Sequence, residues 1–198
     1  MKELAGRRLF VRADASTASG TGHLMRALAL AQAWLDSGGS ATWLVAAAPD
    51  ALLARIAAEG VPIEWIDAPS GGAADAATLR RLLLADPMAV GVVDGNVFDA
   101  EYLGRLAGAG GRVMAIDDLA ALAAYPAGLV LNQNAHADRS SYPADATCRF
   151  LLGTSYVLLR REFRPEPPER SIPPYAGRLL VTFGGADPTG MTARAVAA

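Results

Sequence analysis

The sequence predicts an α/β protein, a Rossmann-like parallel sheet with helices on both faces, and three observations carry that expectation. Short β-rich runs alternate with Ala/Leu-rich runs at helical spacing along the chain. The composition, 52% hydrophobic over 198 residues, supplies enough apolar surface to offset conformational entropy. Between the first strand and the first helix lies a glycine-containing loop, where open parallel sheets place their ligands.

Strands are expected at Arg8 to Arg12, Ala41 to Ala47, Pro62 to Ile66, Ala89 to Asp94, Arg112 to Ile116 and Gly128 to Leu131. The clearest helix runs from Gly22 to Asp36, where Leu24, Leu28, Ala31 and Leu35 recur at helical spacing and Gly38 and Gly39 stop it. Others are expected near Asp50 to Glu59, Asp75 to Ala85 and Asp99 to Ala109, the first starting just after Pro49 and the second at Asp75. Between Phe163 and Tyr175 the sequence turns proline-rich and fits neither a helix nor a central strand. The expected organisation is therefore a first domain over 1–163, a linker over 164–177, and the start of a second α/β domain over 178–198. In that last part Arg178 to Phe183 reads as a strand and Thr189 to Ala198 as a helix.

Composition also excludes function classes. A formal charge of -2 provides no clustered cationic footprint for nucleic acid. The longest apolar stretches fall short of the roughly 20 residues of a membrane helix, and the N-terminus lacks the apolar core of a signal peptide. One cysteine, Cys148, forms no internal disulfide and fits a reducing cytoplasm, and two histidines make no zinc-like cluster.

The segment Arg12 to His23 carries the chemistry. Gly20 and Gly22 let backbone approach a ligand, and the helix start offers unpaired N–H groups. His23 at that mouth is either a proton acceptor for water or a hydroxyl, or a structural histidine at the helix start. Asp94 ends a strand at the same sheet edge, either as a sugar-binding carboxylate or as a strand-end cap. Asp117 and Asp118 are neighbours on an extended chain, so they point opposite ways and do not converge on a metal; one is expected to cap the loop. Asn132 and Asn134 offer amide donors and acceptors suited to a polar neutral ligand, or else form a turn. Tyr156 through Phe163 suits a segment packed between domains, with no site role assigned to Arg160 or Arg161.

Five ordered motifs carry a family resemblance. They are Arg12-Ala13-Asp14-Ala15-Ser16 through Gly20-Thr21-Gly22-His23-Leu24-Met25-Arg26, Ile116-Asp117-Asp118-Leu119-Ala120, Leu131-Asn132-Gln133-Asn134, Leu152 through Phe163, and Val181-Thr182-Phe183-Gly184-Gly185-Ala186-Asp187-Pro188. Together they resemble the UDP-2,4-diacetamido-2,4,6-trideoxy-β-L-altropyranose hydrolases of pseudaminic acid biosynthesis, relatives of the MurG-type glycosyltransferases. The resemblance implies the N-terminal domain of a two-domain GT-B enzyme that releases UDP from a UDP-linked amino sugar by attack of water at the anomeric carbon, without metal or other cofactor. It implies His23 as general base, Asp14 and Ser16 in the loop around it, and Gly184 and Gly185 in the first part of the UDP site. A second α/β half would carry most of that site, so this chain is expected to fold without turning over substrate. Two alternatives stay open, a GT-B glycosyltransferase and a sugar-binding fragment without turnover. The family's Asp followed by an aromatic or His-Tyr pair is replaced here by Asp94-Gly95-Asn96, which leaves the exact sugar undefined.

Overall fold

The computed structural model describes residues 3–16, 20–106, 108–109, 112–164, 174–183, 187 and 189–198. Seven strands form one sheet: β1 (Arg8–Ala13), β2 (Ser40–Val45), β3 (Ile63–Trp65), β4 (Val90–Asp94), β5 (Val113–Ile116), β6 (Leu129–Asn132) and β7 (Arg149–Leu152). Their order is β3-β2-β1-β4-β5-β6-β7, and each neighbouring pair is parallel. The α/β class and the helical cover on both faces are thus as the alternation of runs requires.

Among the described residues five α-helices accompany the strands: α1 (Gly22–Asp36), α2 (Asp50–Ala57), α3 (Ala73–Ala85), α4 (Ala100–Arg105) and α5 (Met191–Ala197). Alternate residues of β1 divide between the faces. Leu9, Val11 and Ala13 pack with Leu24, Ala27, Leu28 and Ala31 of α1 and Ile56 of α2. Phe10 joins Ala76, Leu79 and Leu83 of α3 and Tyr102 and Leu103 of α4 on the other. Burial on both faces is what makes β1 and β2 read as continuous apolar runs. Each fully buried leucine contributes roughly 1.5–3 kcal/mol by removal from water.

Helix α1 ends where the glycines demand. Gly38 has φ +90°, its N–H bonds the carbonyl of Leu35 at 2.9 Å, and the N–H of Gly39 bonds that of Trp34 at 3.1 Å. This pair of bonds satisfies carbonyls that the helix end leaves open. A Cβ on Gly39 would come within 2.2 Å of the Trp34 ring nitrogen, so glycine is required there on space as well.

Two expectations change. Strand β7 was not anticipated: Arg149–Leu152 is four residues long and lies at the sheet edge, so it shows neither periodicity nor full burial. Its support is an aromatic cluster in which Tyr125, Tyr142 and Phe150 meet with centroids 4.7 to 6.3 Å apart. The strand expected over Arg178 to Phe183 does not form; Leu179 and Leu180 are 86% and 87% exposed. A strand gains its ladder only from a neighbour, and among the described residues none pairs with this segment. The expected helix beyond it is present as α5, whereas Gly184, Gly185 and most of the proline-rich linker lie outside the described residues.

After β7 the chain returns across α1. Leu158 packs against the α1 face of the core, the Arg161 N–H donates to Gln32 Oε1 at 2.7 Å, and Arg161 and Arg164 reach Asp36 at 2.7 and 2.9 Å. The segment Tyr156 to Phe163 therefore clasps α1, the helix that carries His23. No helix among the described residues is long and apolar enough to cross a membrane.

Candidate functional site at the sheet switch point

The chain leaves β1 toward β2 and β3 on one side, then crosses back to place β4 on the other. At that reversal the loops after β1 and β4 diverge and open a crevice beyond the carboxyl ends of the strands. Ala13 and Asp94, the last residues of β1 and β4, are register partners. His23, the second residue of α1, lies over the gap.

Asp94 is 1% exposed and sits at the centre of a polar cluster. His23 Nδ1 lies 2.8 Å from its Oδ1. One turn along α1, Arg26 grips the same carboxylate with two donors, Nε to Oδ2 at 2.9 Å and Nη2 to Oδ1 at 2.7 Å. Arg26 Nη1 donates to Asp118 Oδ1 at 2.6 Å, and that oxygen also accepts from Asn134 Nδ2 at 2.9 Å. Burial opposes the charge of Asp118, but the hydrogen bond and positive charge of Arg26, with the Asn134 amide, outweigh it and hold this carboxyl below its usual range.

A carboxylate only accepts, so the contact with Asp94 assigns the imidazole proton to Nδ1 and leaves a lone pair on Nε2. An imidazole oriented in this way, 16% exposed, can take a proton from a hydroxyl or water beside it. His23 borders two hollows. One of about 310 Å³ is lined by Asp14, Ala15, Ser16, Ser70 and Phe98, among others. The other, of about 100 Å³, is lined by Asp117, Asp118 and Leu122, among others, and the two share Gly95, Asn96 and Phe98.

The remaining residues singled out in the sequence divide into those that face the crevice and those turned inward. Ser16 lines the larger hollow and bridges to Gly20, whose φ of +72° favours glycine. Gly22 opens α1, with free space where a Cβ would stand, so backbone is accessible there. Asp14 borders the hollow but spends its oxygens on the protein. Its Oδ1 accepts from the N–H groups of Ala46 and Ala47 at 2.8 and 3.1 Å, and its Oδ2 from Arg12 at 2.7 Å and Ser70 at 2.6 Å. Burial opposes its charge as well, yet these donors, Arg12 foremost, keep its pKa below the usual value.

Asn132 and Asn134 are braces rather than lining of the two hollows. Asn132 Nδ2 donates to the Tyr142 hydroxyl at 3.0 Å, and its Oδ1 accepts from the backbone and side chain of Asn134 at 3.1 and 3.0 Å. Asp117 caps its loop, accepting from Leu119 N–H at 2.9 Å and from the Tyr125 hydroxyl at 2.5 Å. Asp117 is thus the residue that caps the loop, while Asp118 turns to Arg26. Among the described residues no group of three or more His, Cys, Asp or Glu side chains is placed to hold a metal.

Sequence reasoning gave no site role to Arg26 or to the buried residues beneath the larger hollow, and weighed Asp118 only as a metal ligand or loop cap. There Arg12, fully buried, donates Nε to Asp75 Oδ1 at 2.8 Å and Nη2 to Asp75 Oδ2 at 2.9 Å. Asp75 also accepts from Gly71 N–H at 2.8 Å and the Tyr102 hydroxyl at 3.1 Å. The signal for Arg26 was present: it stands three residues after His23, on the same helix face.

These features define an open α/β sheet with a histidine and a carboxylate at its switch point. No family model matches the chain, and no curated protein matches it in sequence. Among solved structures, MurG from Acinetobacter baumannii is similar, with a TM-score of 0.49 and 18% sequence identity over 73% of this chain and 45% of that one. The chain spans less than half the length of that MurG chain.

Proposed function

We propose that this chain is the N-terminal, base-carrying half of a GT-B nucleotide-sugar enzyme, and that the enzyme hydrolyses a UDP-linked 2,4-diacetamido-trideoxy sugar at the anomeric carbon. The observation that carries the reading is the His23–Asp94 pair at the switch point, with Nε2 left for substrate. Two supports stand beside it: the five ordered motifs of the sequence, and the hollow of about 310 Å³ bordered by His23. In this reading Nε2 takes a proton from water while the water oxygen bonds to the anomeric carbon. The C–O bond to UDP breaks, and UDP leaves with the electron pair. Asp94 holds the imidazole in its tautomer and stabilises the imidazolium that forms. Ser16, Gly20 and Gly22 line the approach to the sugar, while Asn132 and Asn134 act at one remove through Asp118. Gly184 and Gly185 belong to the nucleotide side, which a second α/β half completes.

The test is to incubate the gene's complete product, and this 198-residue chain beside it, with the UDP-sugar in water enriched in ¹⁸O. Release of UDP with the label in the sugar product supports attack at the anomeric carbon. Label in UDP, or transfer to an added hydroxyl acceptor in preference to water, overturns the hydrolase reading.

A further inference from the structure

We infer that Arg26 is a positioning residue whose two-pronged grip on Asp94 selects the tautomer of His23, a role that rests on His23 being the base. Asp94 Oδ1 is the oxygen that meets His23 Nδ1, and that same oxygen is held by Arg26 Nη2 at 2.7 Å while Nε fixes Oδ2 at 2.9 Å. The carboxylate plane is therefore set by the guanidinium plane, and with it the direction from which Oδ1 accepts the imidazole proton. Arg26 is itself anchored from the far side by Asp118 at 2.6 Å and is 11% exposed, so the fork has little freedom to turn.

Charge alone does not do this. A lysine at 26 would keep the cation but present one ammonium rather than a planar pair of donors, leaving Asp94 free to rotate about its own side-chain bonds. Once Oδ1 swings away, nothing in the cluster prefers Nδ1–H over Nε2–H. The lysine ammonium or glutamine amide that replaces Arg26, whose Nη2 stands 3.3 Å from Nδ1, can then donate to that nitrogen and favour the tautomer with its proton on Nε2, which cannot accept.

The chain has two histidines, so the imidazole nitrogens can be read one by one in ¹⁵N-detected spectra, with His136 as the internal control. The comparison is among the unaltered protein, Arg26→Lys, Arg26→Gln and Asp118→Asn. Expected is Nδ1–H at His23 in the unaltered protein, a shift toward Nε2–H in both Arg26 variants, and no change at His136. Asp118→Asn, which leaves both contacts to Asp94, should stay close to the unaltered spectrum. Should Arg26→Gln fail to fold, Arg26→Lys decides. An unaltered protein whose His23 carries its proton on Nε2, or folded Arg26 variants whose His23 stays Nδ1–H, would overturn the assignment. The readout needs no turnover: loss of the hydrolase reading with the tautomer shift intact removes the reaction but not the positioning, and the reverse removes only the positioning.

Discussion

Asp94 Oδ1 receives His23 Nδ1 at 2.8 Å and Arg26 Nη2 at 2.7 Å, so a single buried oxygen joins the imidazole to the guanidinium. The fold makes this possible by pairing Ala13 with Asp94 at the ends of two strands that are remote in sequence.

Replacing His23 with Gln should lower turnover of the complete enzyme by roughly 10²–10⁴, the usual worth of a positioned general base. Stability should fall by about 1.5–3 kcal/mol, the net value of one hydrogen bond to a charged group. Steady-state kinetics and urea unfolding measure the two effects separately. A variant that keeps most of its turnover would remove His23 from the mechanism.

Asp94→Asn should be costlier to the fold. It leaves Arg26 without its forked partner in a site that is 1% exposed at position 94, and breaking a buried pair from one side costs roughly 3–5 kcal/mol. A urea midpoint within error of the unaltered protein would show that the pair adds nothing.

Beneath the larger hollow, Asp75→Asn should destabilise strongly, by about 3–5 kcal/mol, because Arg12 is fully buried and would lose the charged partner of two donors. Tyr102→Phe removes one hydroxyl donor to the same carboxylate and should cost about 1.5–3 kcal/mol. Thermal unfolding of the two variants gives the order; a larger loss for Tyr102→Phe would contradict it.

Stability should decline on the acid side. Asp14, Asp118 and Glu59 all have folded pKa values below their ordinary ones. For Glu59, burial pushes the value up, but Arg55, Gln32 and Arg161 pull it down to about 2. A depressed folded value means stabilisation that is complete above the unfolded pKa and lost as pH falls through the folded one. For Glu59 the window runs from its ordinary value of 4.5 down to about 2. Urea unfolding at pH 7 and across that window should show the loss, and Glu59→Gln should flatten it. An unchanged slope in that variant would mean that Glu59 takes no part.

How much of this was legible in the sequence depends on the range of the interaction involved. Helix α1 was readable to the residue, because its apolar spacing and Gly38 stop are local signals. Strands β1, β2, β4, β5 and β6 were readable to within one or two residues, because burial inside the sheet leaves continuous apolar runs, and the edge strand β3 was readable to within one residue. Strand β7 was not, since an edge strand of four residues draws its stability from β6 and an aromatic cluster rather than from its own pattern. The candidate site was half legible: His23 and Asp94 stood out as chemistry at strand ends. That Asp14 and Asn132 spend their polar atoms inward, and that Arg26 joins Asp94 to Asp118, depends on partners up to 92 residues away.

The placement of β4 beside β1 also sets when the site can exist during folding. His23 and Asp94 are 71 positions apart, so no local hairpin or helix can bring them together. The loop between them must close first, and such remote pairings form late and slowly relative to helix α1 itself. Nascent chain that has formed β1, α1 and β2 would hold the imidazole with no carboxylate to face. The Nδ1 signal of His23 would then mark the arrival of the fourth strand, one proton timing the docking of β4 against β1.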